Sequence, residues 1–240
     1  MDSFELHPSL KGARACIFDA GGTLVHPDWP RLSHTAQKVS GRAFEAGEMG
    51  RAFGEMLRAV GMEMQSEGFV LADDMKRPHW TFRRMYGALG LDKVTCDSVI
   101  EHLDGAHLER HLWCGIDPQV PPVLDELKRQ GLLLAVISNT EDGRLIDSLE
   151  ASGITGRFDL LIDSHLVGHR KPDAAIFRLA LERLELEAHE AAYVGDSYVH
   201  DALAARAIGM RGILLDPLDL HPESVCPRIR SLTELIEGSA

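Results

Sequence analysis

Short, unbroken apolar runs that stop at turn-forming or charged residues recur along this chain. Ala15 to Phe18 (ACIF) runs into Asp19 and then Gly21-Gly22. Leu132 to Ile137 (LLLAVI) runs into Ser138-Asn139, and Ala191 to Val194 (AAYV) into Gly195-Asp196. Phe158 to Ile162 and Gly212 to Leu215 have the same character. Runs that are apolar at every position, rather than at alternate ones, predict strands buried on both faces, as in a parallel sheet. Helical patterns separate them. Pro121-Pro122 can open a helix carrying Val123, Leu124 and Leu127 and ending at Gly131. Thr140 is placed to cap a helix with Glu141 and Asp142 in its first turn, stopping near Gly153. Ile176, Phe177, Ala180, Leu181 and Leu184 fall at helical spacing, as do Ala202, Leu203 and Ile208. Strand and helix alternate from about Pro118 onward, which predicts a doubly wound, Rossmann-like α/β core.

The stretch from His26 to Trp113 breaks this rhythm. It holds no convincing strand, and Phe82, Met85, Tyr86 and Leu89 repeat at helical intervals. The expected organisation is an α/β core from 1–25 and 114–240, interrupted by an all-helical cap insertion at 26–113.

Charge narrows the choice of partners. Against 25 basic side chains stand 37 acidic ones, a formal balance of −12. Such a surface repels nucleic acid and anionic membranes, and an anionic substrate needs a local positive feature to overcome it. The four cysteines, Cys16, Cys96, Cys114 and Cys226, form no C-x-x-C pair, which suits a reducing compartment. No run approaches the ~20 apolar residues of a membrane span, and the expected location is the cytoplasm. Monomer and homodimer are equally compatible with the sequence.

In a parallel sheet the carboxyl ends of the strands converge on one edge, where ligands bind. Asp19, Ser138-Asn139 and Asp196 are thereby expected to meet, and Lys171, on a loop after another strand, can reach the same place. A carboxylate such as Asp19 can attack phosphorus and form an aspartyl phosphate. A cation must then bridge carboxylate and phosphate, and Mg2+ takes oxygen ligands of the kind Asp19 and Asp196 offer, with Asp201 able to anchor metal-bound water. The Ser138 hydroxyl, the Asn139 amide and the Lys171 ammonium can hold phosphate oxygens.

FDAGGTL at 18–24, VISN at 136–139, KPD at 171–173 and VGDSYVHD at 194–201 occur in an order that resembles the haloacid dehalogenase-like superfamily, most closely its phosphatases with a helical cap. The resemblance covers about Ala13 to Ile236. It implies Asp19 as nucleophile of a small phosphorylated substrate, and Asp19, Asp196 and the Gly21 carbonyl as magnesium ligands. Asp201 and Thr23 would support that set from behind, Ser138 or Asn139 and Lys171 would bind phosphate, and the insertion would be a mobile cap over the substrate.

One position departs from the pattern. Phosphatases of this family carry a second aspartate, a general acid and base, where Gly21 stands here. Loss of such help costs roughly 10²–10⁴ in rate. His26 and Asp28 are the nearest titratable replacements, and His34 follows. The departure keeps other readings open. They are a metal-independent dehalogenase, a phosphonate hydrolase using a cap lysine such as Lys38, Lys76 or Lys93, and a protein that binds a phosphorylated ligand without turnover. His107 and His111, spaced i, i+4, are expected on a solvated helix face rather than at a metal. Phe53, Met56, Phe82 and Met85 are expected in the core of the insertion, and Cys16 as a small buried apolar residue.

Overall fold

The apolar runs become the strands they predict. The computed structural model describes residues 5–64 and 77–236. Along the chain lie β1 (Ala15–Phe18), β2 (His26–Pro27), α1 (Trp29–Ser40), α2 (Ala46–Met64), α3 (Trp80–Ala88), α4 (Lys93–Glu109) and β3 (Trp113–Gly115). There follow α5 (Val120–Arg129), β4 (Leu133–Ser138), α6 (Leu145–Ala151), β5 (Leu160–Asp163), α7 (Ser164–Val167) and α8 (Ala174–Leu184). The last elements are β6 (Ala191–Gly195), α9 (Ala204–Ala207), β7 (Arg211–Leu215) and β8 (Arg228–Ile229). Two compact units result, one from Met1–His26 with Ile116–Ala240, the other from Pro27–Gly115.

In the first unit six strands run in the order β5-β4-β1-β6-β7-β8, all parallel. Successive side chains on a strand point to opposite faces. Ala15, Ile17, Ala135, Ile137, Ala191 and Tyr193 share one cluster with Ile176, Phe177 and Ala180 of α8 and Ala204 and Ala205 of α9. Their neighbours Cys16, Phe18, Leu134, Val136, Ala192 and Val194 are fully buried too. Both faces are covered, which is why the strands carry no polar alternation. β1 lies at the middle of the sheet. The chain first builds β4 and β5 on one side of it, then crosses to β6, β7 and β8 on the other. That reversal puts the switch point, where ligands bind in such sheets, at the carboxyl end of β1.

The second unit packs α1 to α4 around Leu32, Phe44, Met49, Phe53, Phe82, Met85, Tyr86 and Leu103. Trp113 closes the cluster, with its ring centroid 5.6 Å from Phe53 and 5.7 Å from Phe82. Tyr86, fully buried, donates its hydroxyl to the Leu32 carbonyl at 2.9 Å, so this phenol is not stranded in the core. The unit is not wholly helical as expected. β2 and β3 pair as a two-stranded sheet, two strands too short to leave a periodic signature.

Two further expectations fail. Residues 140–144 are irregular, with a bend at 141–143, and α6 begins only at Leu145. Thr140 caps nothing because its hydroxyl bonds to Asp163, whose other oxygen accepts from Leu145 N at 3.1 Å. His107 and His111 are buried, each with 8% exposure. Their Nδ1 atoms accept from the Leu112 and Trp113 backbone N–H groups at 3.2 Å, closing the end of α4 inward.

Candidate active site

Sheet register explains the convergence of distant residues. Phe18 stands beside Val136 on one side and Val194 on the other. Asp19, Ser138-Asn139 and Asp196 therefore leave the sheet at nearly the same level. Asp19 N donates to Val194 O at 2.9 Å, carrying the ladder one residue past β1. The chain then folds back on itself, with Leu24 N and Val25 N both reaching Ala20 O and Gly22 N reaching Val25 O at 2.7 Å.

Two glycines make room for two carboxylates. Gly22 has φ +90°, and a Cβ there would lie 2.0 Å from Asp196 Oδ2. A Cβ on Gly195 would lie 2.4 Å from Asp201 Cγ. Gly22→Ala is accordingly expected to displace the Asp196 carboxylate and to strain a left-handed backbone by about 1 kcal/mol. Turnover should fall at least about 100-fold while the circular dichroism spectrum stays that of the parent. Full activity in this variant would show that Asp196 is not needed where it stands.

Lys171 occupies the centre. Its Nζ donates to Asp19 Oδ1 at 2.5 Å, Asp201 Oδ1 at 2.7 Å and the Tyr193 hydroxyl oxygen at 3.0 Å. Lys171 is 3% exposed and Asp201 1%. Asp201 takes a further bond from Ser197 N at 3.0 Å, and Thr23 Oγ1 reaches Asp19 Oδ2 at 3.5 Å. The loop holding Lys171 is fixed by Asn139, whose Oδ1 accepts from Lys171 N at 2.8 Å and whose Nδ2 donates to Lys171 O at 2.9 Å. Two residues on, Asp173 caps α8 by accepting from Ala175 N at 2.9 Å. Thus the KPD triplet delivers one ammonium inward and starts a helix.

Ligand oxygens of Asp19, Asp196 and Asp201 all lie within 4.8 Å of one another. Such crowding governs ionisation. Burial, offset in part by Lys171 and reinforced by Asp201, pushes Asp19 up to about 6. Asp196 is partly open to solvent by area yet enclosed by the cluster. Burial and the charges of Asp19 and Asp201 hold it well above the usual carboxylate range. Burial opposes the charged form of Lys171, but Asp19 and Asp201 outweigh it and keep the ammonium protonated far above its ordinary value.

The model of the haloacid dehalogenase-like hydrolase family matches residues 13–209. The chain belongs to that family. It is 41% identical over 111 residues to the mouse haloacid dehalogenase-like hydrolase domain-containing protein 3, covering 45% of this chain and 44% of that one. It is 36% identical over 100 residues to a ribulose-1,5-bisphosphate 5-phosphatase of Halopiger xanaduensis, covering 42% of each. The matched stretch is thus less than half the length of either relative. Among solved structures, a magnesium-bound HAD-hydrolase, YfnB of Bacillus subtilis, superposes with TM-score 0.63 at 18% identity, over 93% of this chain and 96% of that chain.

Ser138 ends β4, buried, beside Asp163 in the register. Asn139 spends both ends of its amide on the Lys171 backbone, which makes it a support for that loop. Gly21 forms an isolated bridge with Val25. His26 is half-buried in β2. Asp28 belongs to the second unit, where it caps α1 by accepting from Arg31 N at 3.2 Å and pairs with Arg31 Nε at 3.5 Å. His34 and Lys38 are exposed on α1, and Lys93 pairs with Asp97 at 3.2 Å. Lys76 lies outside the described residues. Among the described residues no helix is long and apolar enough to cross a membrane. Tyr193 takes part in the cluster without having been singled out in the sequence, and Asp163, also not singled out, fixes the turn after β4 through Thr140 and Leu145. The only hint of Tyr193 was one hydroxyl in an otherwise apolar strand.

Proposed function

We propose that this hydrolase is a magnesium-dependent phosphatase of a small phosphorylated metabolite, with Asp19 as nucleophile. The observation that carries the reading is the meeting of Asp19, Asp196 and Asp201 around a single ammonium. Three anions against one cation leave two negative charges in a largely buried cluster, and a divalent ion balances them. Donors that are all oxygen suit magnesium rather than a softer metal. Asp19, Asp196 and the Gly21 carbonyl would hold it, with Asp201 and Thr23 behind. When bound, magnesium supplies the charge neutralisation that lets a carboxylate approach a phosphate. A metal-free dehalogenase would leave this carboxylate cluster uncompensated, and the Halopiger relative is a phosphatase by name.

In this mechanism Asp19 attacks phosphorus and the ester P–O bond breaks. The alcohol leaves with a proton drawn from water or a neighbouring acid. A water molecule then cleaves the acyl phosphate, releasing orthophosphate and restoring the Asp19 carboxylate. Lys171 keeps Asp19 aimed, and Ser138 is the side chain of the Ser-Asn pair left to hold a phosphate oxygen. Because Gly21 offers no proton, substrates with good leaving groups turn over best. Gly21→Asp should raise the rate on alkyl phosphates by about 10² or more, with a smaller gain on aryl phosphates, as measured by phosphate release.

The direct test is phosphate release from a panel of phosphorylated metabolites, with magnesium and with a chelator. Release should vanish in chelator. Halide release from a 2-haloacid that persists in chelator, with no phosphate released, would overturn the reading. Cation affinity should also depend on pH. Protons and magnesium compete for the same oxygens, so affinity rises with pH through the range where Asp19, pushed up to about 6, loses its proton. Thermal-shift titrations should show about tenfold tighter binding per pH unit for each proton displaced. A flat magnesium midpoint from about pH 5 to 7 would contradict this account of the carboxylates.

A further inference from the structure

We propose that Tyr193 is a positioning residue that aims the Lys171 ammonium at Asp19. Its effect on turnover rests on the phosphatase reading; its geometry does not. Tyr193 lies in β6, within a cluster that is otherwise apolar, and is fully buried. Its ring meets Phe177 edge-on at 5.1 Å. A phenylalanine would supply that packing equally well, and a hydroxyl placed there costs free energy unless it is bonded. The hydroxyl is bonded twice. It donates to the Ile137 carbonyl at 3.1 Å and accepts from Lys171 Nζ at 3.0 Å. Since Ile17 of β1 lies between Tyr193 and Ala135 in the register, the side chain reaches past the central strand to the end of β4.

An ammonium has three hydrogens in tetrahedral directions. Those of Lys171 go to Asp19, Asp201 and Tyr193. Two acceptors would leave the group free to rock about the line joining them, and the third fixes it. The main-chain carbonyl of Ile137 fixes the hydroxyl in turn, because a phenol that donates to that carbonyl presents its lone pairs to Nζ. Tyr193 therefore acts on the nucleophile without touching substrate.

Tyr193→Phe removes one oxygen atom and keeps the ring. In this variant kcat should fall about tenfold to a hundredfold, as for a lost hydrogen bond to a charged group, with KM changed less than about twofold. A second readout is independent of turnover. In protein labelled with 15N-lysine, the Lys171 ammonium hydrogens should exchange with water at least about tenfold faster in Tyr193→Phe than in the parent. If the hydroxyl serves only to satisfy Ile137, the melting temperature drops while lysine exchange and kcat stay as they were, and the proposal is overturned. If the parent protein releases no phosphate, the phosphatase reading fails and lysine exchange alone decides the role of Tyr193.

Discussion

Replacing Asp19 by asparagine is expected to abolish hydrolysis and, in the absence of magnesium, to leave the protein at least as stable as the parent. The loss of rate follows from the proposed chemistry, since an amide cannot attack phosphorus. A drop of at least about 10⁴-fold is the scale seen when a nucleophile is removed from a preorganised site. The stability effect follows from the ionisation of the cluster. Asp19 is pushed up to about 6 from an ordinary value of 3.8, so the folded chain holds this proton more tightly than the unfolded chain does. An acid shifted upward destabilises the fold progressively as pH rises from about 4 to 6, and the loss is complete above that range. Asparagine removes the charge and retains an oxygen for the Lys171 hydrogen at Asp19 Oδ1. Above neutral pH the metal-free variant should gain about 1–3 kcal/mol, read from denaturant unfolding. Added magnesium should stabilise the parent and do much less for the variant. Turnover within tenfold of the parent would remove Asp19 from the mechanism.

That opposition between charge crowding and function explains what could be read in advance. The strands were legible because burial on both faces demands continuous apolar runs, and a run of such strands ends wherever a glycine or a charge stops it. Asp19, Ser138-Asn139 and Asp196 are such endings, and parallel topology gathers them without knowledge of strand order. Lys171 and Asp201 were legible only in company, through motif order. What was hidden depends on contacts made by single atoms across the sheet. Thr140 looked like a helix cap because local chemistry favours it, but the buried Asp163 carboxylate, a neighbour only in three dimensions, claims its hydroxyl. Asn139 looked like a phosphate ligand, and both ends of its amide were already committed to the Lys171 backbone. His107 and His111 looked solvated because i, i+4 spacing says which face they share and not what covers it. The two residues of β8 were too short to produce a pattern.

Lys171→Met should be the most damaging substitution to stability in the first unit. The side chain is nearly isosteric, so the hole is small, while the ammonium that pairs with both Asp19 and Asp201 disappears. Removing one partner of a buried ion pair typically costs about 3–5 kcal/mol, because the other charge is left in a medium that solvates it poorly. The pH dependence identifies the cause. In the parent the ammonium is held well above its ordinary value, so its contribution is fully present below that value and is lost only as pH climbs through the higher folded-state value. In the variant the bare Asp19 carboxylate takes up a proton instead. The deficit should therefore be greatest near about pH 8 and shrink toward about pH 5, below the value of about 6 to which Asp19 is pushed in the parent. Unfolding by urea at both values measures it. A deficit equal at the two pH values would mean that lost packing, not lost charge, destabilises the variant. Magnesium should recover part of the stability at the higher pH and little of the activity, because a cation between carboxylates offsets their repulsion but cannot point Asp19 at a phosphorus atom.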